Sequence, residues 1–167
     1  MVMLRPALVL ALLVWTAAPA PIGAQRPADI VRWTVAAPAA PVTPGGSLPL
    51  EMTAAIQEGW HLYALTQPEG GPNPLKIALA AGSPFTVDVK GIKAPAPEVV
   101  KDANFNLETR QHDGTVTFRV PVRAAREASA GPHTLTFEIT FQACGNGICL
   151  RPYTAKVPVT VTVAGGR

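Results

Sequence analysis

Apolar side chains alternate with polar or small ones along several stretches of this chain. The clearest alternation is found at residues 48–56, 116–122, 135–141 and 157–163. A period of two is typical of strands that bury one face, whereas no stretch has the apolar stripe of a helix, with its period of about 3.6 residues. We predict further strands at the shorter stretches 31–36, 60–65, 75–80 and 85–89.

Segments rich in proline and glycine separate these predicted strands. Residues 38–46 and 66–74 are predicted loops, residues 91–104 a long irregular excursion, and residues 124–130 allow one helical turn at most. Short alternating strands between such turns are typical of immunoglobulin-like folds. We therefore predict an all-β protein, an immunoglobulin-like antiparallel β-sandwich, formed as a single domain by residues 25–167. A small barrel is the alternative.

The first residues of the chain have a different pattern. A charged Met-Val-Met-Leu-Arg start precedes an apolar run at residues 7–15 and a stretch of small residues that ends at Ala24. This order is typical of a secretory signal peptide, and the apolar run is shorter than the roughly 20 residues of a membrane-spanning helix. We expect residues 1–24 to be a signal peptide that is cleaved near Ala24. The mature protein would be periplasmic or secreted, without a membrane span.

The charge of the chain is modest. Lys and Arg number 14 against 11 Asp and Glu, a formal net charge of +3. Since the basic residues form no cluster, neither nucleic acid nor an anionic membrane surface is expected as a partner. The predicted export of the protein says more about its function than its charge does, because cysteines in an oxidising compartment form and keep disulfides.

The chain has only two cysteines, Cys144 and Cys149, with four residues between them. The Gly-Asn-Gly sequence in that interval tolerates positive φ and allows a tight turn. The alternating stretches 135–141 and 157–163 lie on either side. We therefore predict that the cysteines lie at the tip of a β-hairpin, either as a structural crosslink or as a redox pair.

The small size of the cysteine loop favours redox chemistry. A crosslink around so few residues stabilises a fold by about 2 kcal/mol, against about 4.7 kcal/mol for a 100-residue loop. At the edge of a fold the bond is also open to a partner's thiol, and Arg151 would favour a thiolate at Cys149 if its side chain turned back. The alternative is a non-enzymatic secreted β-sandwich binding module in which a Cys144–Cys149 disulfide holds a loop.

No cofactor or metal ion is expected from the sequence. Two thiolates are too few ligands for a metal, and His61, His112 and His133 are scattered along the chain. A blue-copper site would need a histidine, and usually a methionine, soon after the cysteine. The residues that follow Cys149 include neither.

Two motifs resemble a known family. Phe-Gln-Ala-Cys at residues 141–144, followed by Ile148-Cys149 and Pro152, is similar to an aromatic-Gln-x-Cys…Cys-x-x-Pro signature. That signature belongs to the amino-terminal periplasmic domain of the thiol:disulfide interchange protein DsbD. Gly-Trp-His-Leu-Tyr at residues 59–63 is similar to a Gly-aromatic-x-aliphatic-Tyr strand of the same family. The resemblance covers about residues 30–163.

The resemblance implies an immunoglobulin-like fold with a redox disulfide. Cys149 would form the mixed disulfides with partners, and Cys144 would be the resolving thiol. His61 and Tyr63 would lie on one strand face and support the pair. Phe105 would belong to a cap loop that shields the disulfide.

The same resemblance implies partners and an activity. The donor of electrons would be a thioredoxin-like domain or a membrane electron-transfer protein, and the acceptors would be oxidised periplasmic proteins. The chain would thus be a component of a protein-disulfide reductase. Because it ends at Arg167, we expect the donor on a separate polypeptide. Residues 102–106 match the family's cap only loosely, which leaves open whether the cysteines have an acidic neighbour.

Overall fold

The computed structural model describes residues 25–145 and 147–165. The predicted signal peptide, residues 1–24, and Asn146 of the cysteine loop lie outside the described residues. The described part contains one short helix, α1 (Pro27–Ile30), one 3₁₀ turn (Val89–Gly91) and twelve strands. The strands are β1 (Val31–Val35), β2 (Ser47–Ile56), β3 (Trp60–Tyr63), β4 (Lys76–Leu79), β5 (Phe85–Val87), β6 (Glu98–Asp102), β7 (Leu107–His112), β8 (Thr115–Ala124), β9 (Gly131–Phe141), β10 (Ala143–Gly145), β11 (Ile148–Cys149) and β12 (Tyr153–Val163).

The strands form three antiparallel sheets. Their orders are β1-β2-β8-β5, β11-β10-β3-β7-β6 and β12-β9-β4. The long ladders are those of β2 with β8 and of β9 with β12, which contain the strongest alternation in the sequence. This arrangement confirms the predicted all-β antiparallel sandwich, and the strands predicted from alternation are all present.

The apolar faces of the long strands form the core. Met52 of β2, Phe118 of β8 and Phe137 of β9 are fully buried. The ring of Trp33 on β1 packs between the layers, with its centroid 5.9 Å from that of Phe118 and 5.8 Å from that of Phe141. Burial of these apolar surfaces is the main force that holds the fold together.

The predicted irregular excursion at residues 91–104 was wrong. β6 lies within this segment and pairs with β7, a strand that was not predicted at all. β6 is the outer strand of its sheet, and β7 buries the polar residues Thr109 and Gln111. Neither strand therefore has an apolar alternation to reveal it. The two form a hairpin with a tip at residues 103–106, where Asn106 has a φ of 52°.

Residues 124–130 do not form a helix. β8 continues to Ala124, and a turn follows in which the N–H of Ala128 donates to the carbonyl of Ala125. The turn leads directly into β9, which begins at Gly131.

The predicted cysteine hairpin is confirmed, but its tip changes sheets. β9 and β12 pair up to Phe141 opposite Tyr153. Beyond that point β10 and β11 pair with each other, and β10 also pairs with β3, where Cys144 lies opposite His61. The cysteines thus belong to the five-stranded sheet, although their hairpin arms belong to another.

Gly145 allows β10 to approach β3 closely. A Cβ at this position would overlap the carbonyl oxygen of Gly59 and lie 2.9 Å from Cδ2 of Trp60. The positive φ expected from the Gly-Asn-Gly sequence is found at Gly147, with a value of 75°. Gly145 is therefore required for space, and Gly147 for its backbone conformation.

We expect Gly145→Ala to destabilise the protein more than Gly147→Ala. Gly145→Ala forces β10 away from β3, at a cost of about 1–3 kcal/mol typical of overpacking. Gly147→Ala has open space but a left-handed φ, which costs about 1 kcal/mol. Urea denaturation of both variants measures the difference, and equal losses would contradict the close approach of the two strands.

Candidate functional site

The two cysteines form a disulfide across the β10–β11 pair. Cys144 and Cys149 lie directly opposite each other, with their Cα atoms 4.1 Å apart. Cys144 is 0% exposed, whereas Cys149 is half-buried. A thiol that approaches from solvent therefore reaches Cys149 and not Cys144.

His61 of β3 is the neighbour of Cys144 in the sheet. The two residues occupy directly opposite positions of the β3–β10 ladder. The His61 ring contacts Tyr63 edge-on, with centroids 5.1 Å apart, and its Nε2 atom is buried without a hydrogen-bond partner. Burial lowers the pKa of His61, and the nearby carboxylates of Asp102 and Asp113 act in the opposite direction.

Tyr63 connects the disulfide to a carboxylate. Its hydroxyl donates to Oδ2 of Asp102 at 2.6 Å and lies 3.9 Å from Sγ of Cys149. Burial raises the pKa of Tyr63, and the hydrogen bond to Asp102 raises it further. The phenol is therefore protonated throughout the physiological range. Since its proton is directed to Asp102, the phenol meets the sulfur through its oxygen.

Asp102 is a site residue that the sequence reasoning missed. It ends β6, is 4% exposed, and also accepts a hydrogen bond from the backbone N–H of Asn104 at 2.8 Å. Burial raises the pKa of Asp102, but hydrogen bonds from Tyr63 and Asn104 together outweigh it, so the pKa lies below its usual value. The only signal for Asp102 in the sequence was its position three residues before Phe105. It lies in the loosely matching cap segment, for which an acidic neighbour of the cysteines was an open question.

A second amide completes the hydrogen bonding of Asp102. Nε2 of Gln111 donates to Oδ2 of Asp102 at 3.3 Å and to Oγ1 of Thr109 at 2.9 Å. A buried polar network of this kind is rigid when each member has a partner. We call this side of the five-stranded sheet the disulfide face; by ladder register it includes Cys149, Cys144, His61, Tyr63, Gln111, Thr109 and Asp102.

Phe105 lies at the tip of the β6–β7 hairpin. Its half-buried ring meets Tyr63 edge-on, with centroids 6.0 Å apart. The structure therefore places all five residues predicted from the sequence, Cys144, Cys149, His61, Tyr63 and Phe105, at one end of the molecule. Arg151, in contrast, is exposed to solvent.

The described residues contain neither a group of metal ligands nor a membrane-spanning helix. Within residues 25–145 and 147–165, no three His, Cys, Asp or Glu side chains are grouped so as to hold a metal ion. The helices of this part of the chain are all too short or too polar to cross a membrane.

The fold and the site define a class of protein: an immunoglobulin-like sandwich with a disulfide at the end of one sheet, in which one cysteine is buried and the other only partly buried. The family model described as "Thiol:disulfide interchange protein DsbD, N-terminal" matches residues 30–161. The chain belongs to this family, as the sequence motifs indicated. No curated protein sequence matches it significantly.

Two solved structures have a similar fold. One is the N-terminal periplasmic domain of ScsB from Proteus mirabilis, with a TM-score of 0.54, 16% identity and a match over 83% of this chain and 49% of that chain. The other is the reduced N-terminal domain of DsbD from Neisseria meningitidis, with a TM-score of 0.54, 12% identity and a match over 83% of this chain and 90% of that one. The chain thus spans about half of the ScsB chain, and at these identities the likeness shows the fold alone.

We expect Tyr63→Phe to destabilise the protein in a pH-dependent way. The variant keeps the ring but loses a hydrogen bond to a carboxylate, worth about 2 kcal/mol. Because the folded-state pKa of Asp102 lies below its unfolded value, its ionised form stabilises the fold above about pH 4, and this stability is lost as the pH falls through the folded pKa. The difference between wild type and variant should therefore shrink in acid.

Urea denaturation at neutral pH and at about pH 3 tests this expectation. Tyr153→Phe is the matched control, since Tyr153 is 40% exposed and lies on β12, away from Asp102 in the sheet order. It should change the free energy of unfolding little at either pH. A loss for Tyr63→Phe that is the same at both pH values would contradict the assigned hydrogen bond.

Proposed function

We propose that this protein is a thiol–disulfide exchange module that relays electrons through the Cys144–Cys149 disulfide. Its family is one of thiol:disulfide interchange domains, which supports this class of chemistry. The observation that carries the proposal is the asymmetry of the bond, in which Cys144 is fully buried and Cys149 is only partly buried. A structural crosslink has no need of one accessible sulfur, whereas exchange requires it.

The proposed relay proceeds by two thiolate attacks. A thiolate of the donor attacks Sγ of Cys149, the Cys144–Cys149 bond breaks, and its electron pair goes to Sγ of Cys144. The donor's second thiolate then attacks the donor sulfur of the mixed disulfide and releases Cys149. The donor is left as a disulfide and this protein as a dithiol. The reverse sequence, started by the Cys149 thiolate, reduces an oxidised substrate protein.

The proposed partners are those that the family implies. We propose a thioredoxin-like domain or a membrane electron-transfer protein as donor and oxidised periplasmic proteins as acceptors. Ile148 is 58% exposed beside Cys149, and Tyr153 is 40% exposed where β12 begins. Exposed apolar side chains next to an accessible sulfur offer a surface on which a protein partner docks.

Phe105 has a shielding role in this proposal. Its ring packs on Tyr63, whose hydroxyl touches Cys149. The hairpin tip at residues 103–106 thus lies close to the exposed sulfur. A cover at this place limits exchange with stray thiols and yields to a partner that displaces it.

A redox titration is the first test of the proposed function. A potential of about −230 to −180 mV, the range of glutaredoxins and disulfide isomerases, supports the relay. A potential below about −300 mV is typical of structural disulfides. That result would replace the relay with the alternative, a secreted binding module with a fixed loop.

Single-cysteine variants test the roles of the two sulfurs. We expect Cys144→Ala to trap partners as mixed disulfides through Cys149, whereas Cys149→Ala should trap few because Cys144 is buried. Non-reducing gels of both variants, expressed in an exporting host, give the comparison. Equal trapping by both would overturn the assigned roles but not the redox proposal.

We expect Phe105→Ala to speed reduction of the disulfide by dithiothreitol without moving its potential. A cover changes access to the sulfur and not the free energies of the oxidised and reduced states. Val99→Ala is the matched control, because Val99 lies on β6 of the same hairpin and is already 60% exposed. An unchanged rate for Phe105→Ala would show that the ring does not cover the bond.

A further inference from the structure

Opening the disulfide places a charge where the protein has little means to stabilise it. When the bond breaks by attack on Cys149, the leaving Cys144 sulfur is a thiolate with no exposed surface. Burial of a charge without a partner is costly, and burial in apolar surroundings raises the pKa of a thiol. The ionised carboxylate of Asp102 on the same face adds to the cost. The site therefore needs a compensating positive charge.

His61 is placed to supply this charge. It lies directly opposite Cys144 in the β3–β10 ladder, so the two side chains share the disulfide face with Cβ atoms about 4.5–5.5 Å apart. Its Nε2 atom is buried and has no hydrogen-bond partner while the disulfide is closed. Among the residues that define the disulfide face, His61 has the only side chain able to become a cation.

We propose, on the basis of the exchange function proposed above, that His61 is the charge partner of the Cys144 thiolate. As the partner's thiolate bonds to Cys149 and the electron pair of the broken bond moves to Cys144, His61 takes a proton from solvent. The resulting imidazolium stabilises the thiolate. When the Cys144 thiolate later attacks Sγ of Cys149 in a mixed disulfide, the bond from Cys149 to the substrate breaks and its electron pair leaves on the substrate's sulfur. The negative charge thus leaves Cys144, and the proton of His61 returns to solvent.

The groups around His61 favour protonation of its ring only when the disulfide is reduced. With the disulfide closed, burial lowers the pKa of His61 and keeps the ring largely neutral. The groups that face it are Cys144 on β10, Tyr63 on its own strand, Asp102 on β6 and Asp113 just after β7. The phenol of Tyr63 stays protonated, and the carboxylates favour an imidazolium. A thiolate within about 4–6 Å adds a further attraction.

The first test isolates Cys144 in a Cys149→Ala protein. The thiolate absorbance of Cys144 is titrated with His61 present and with His61→Phe or His61→Gln. We expect the Cys144 thiolate to form about one to three pH units lower with His61 than with His61→Phe. His61→Gln, which donates a hydrogen bond but has no charge, should fall between them. The same titration midpoint in all three proteins overturns the proposal.

This measurement needs no redox partner, so it separates the two proposals. A reduction potential below about −300 mV for the wild-type disulfide would overturn the proposed exchange function. The His61–Cys144 pairing would then be decided by the thiolate titration alone. Should the His61→Phe variant fail to fold, the Cys149→Ala protein that keeps His61 is compared with its His61→Gln variant, and this comparison decides in the same way.

A second test uses the intact disulfide. Rates of reduction by dithiothreitol are compared between wild type and His61→Gln at several pH values. Dividing the wild-type rate by the variant rate at each pH cancels the effect of dithiothreitol ionisation. Because His61 is protonated more at low pH, the ratio should rise several-fold as the pH falls from about 8 to about 5.5. His133→Gln, at the far end of β9, is the control and should give a flat ratio. A flat ratio for His61→Gln as well overturns the proposal.

Discussion

The pairing of β10 with β3 is the constraint on which the site depends. β9 and β12 hold the arms of the cysteine hairpin in the three-stranded sheet. The short β10–β3 ladder places the tip of the hairpin in the five-stranded sheet. The transfer places Cys144 opposite His61 and brings Cys149 within reach of the Tyr63 hydroxyl. It is possible only because position 145 has no side chain, so one glycine decides whether the sulfurs meet their neighbours.

The fold separates the parts that stabilise it from the parts that do chemistry. The apolar core is concentrated between the long strands, for example at Met52, Phe118 and Phe137. The disulfide face instead buries a connected set of polar groups around Asp102. A stable sandwich can accept these buried groups because Tyr63, Gln111 and Thr109 are joined in one hydrogen-bonded network with Asp102. Nε2 of His61 is the exception on this face. The same separation predicts that the core stays intact when the disulfide opens.

The sequence predicted the fold well where burial is apolar. Alternation located β2, β8, β9 and β12. The family motifs selected Cys144, Cys149, His61 and Tyr63, and the looser likeness of the cap loop added Phe105. The sequence failed at β6 and β7, because their buried residues, Asp102, Thr109 and Gln111, are polar and read as solvent-facing. Asp102 was missed for the same reason. Its importance lies in a hydrogen bond to Tyr63, 39 residues away, which no local pattern encodes.

The β6–β7 hairpin joins the rest of its sheet through a short ladder, Leu62 with His112 and Tyr63 with Gln111. Hydrogen bonds of the Arg110 backbone with Ala64 and Gln67 extend this connection. Phe105 at its tip and Asp102 at the end of β6 are three residues apart, and both contact Tyr63. In the proposed exchange, a partner that displaces the hairpin tip would therefore disturb the ring contact and the carboxylate contact of Tyr63 together. In the proposed relay, one short segment, residues 102–105, thus governs both the cover over the bond and the charge beside it.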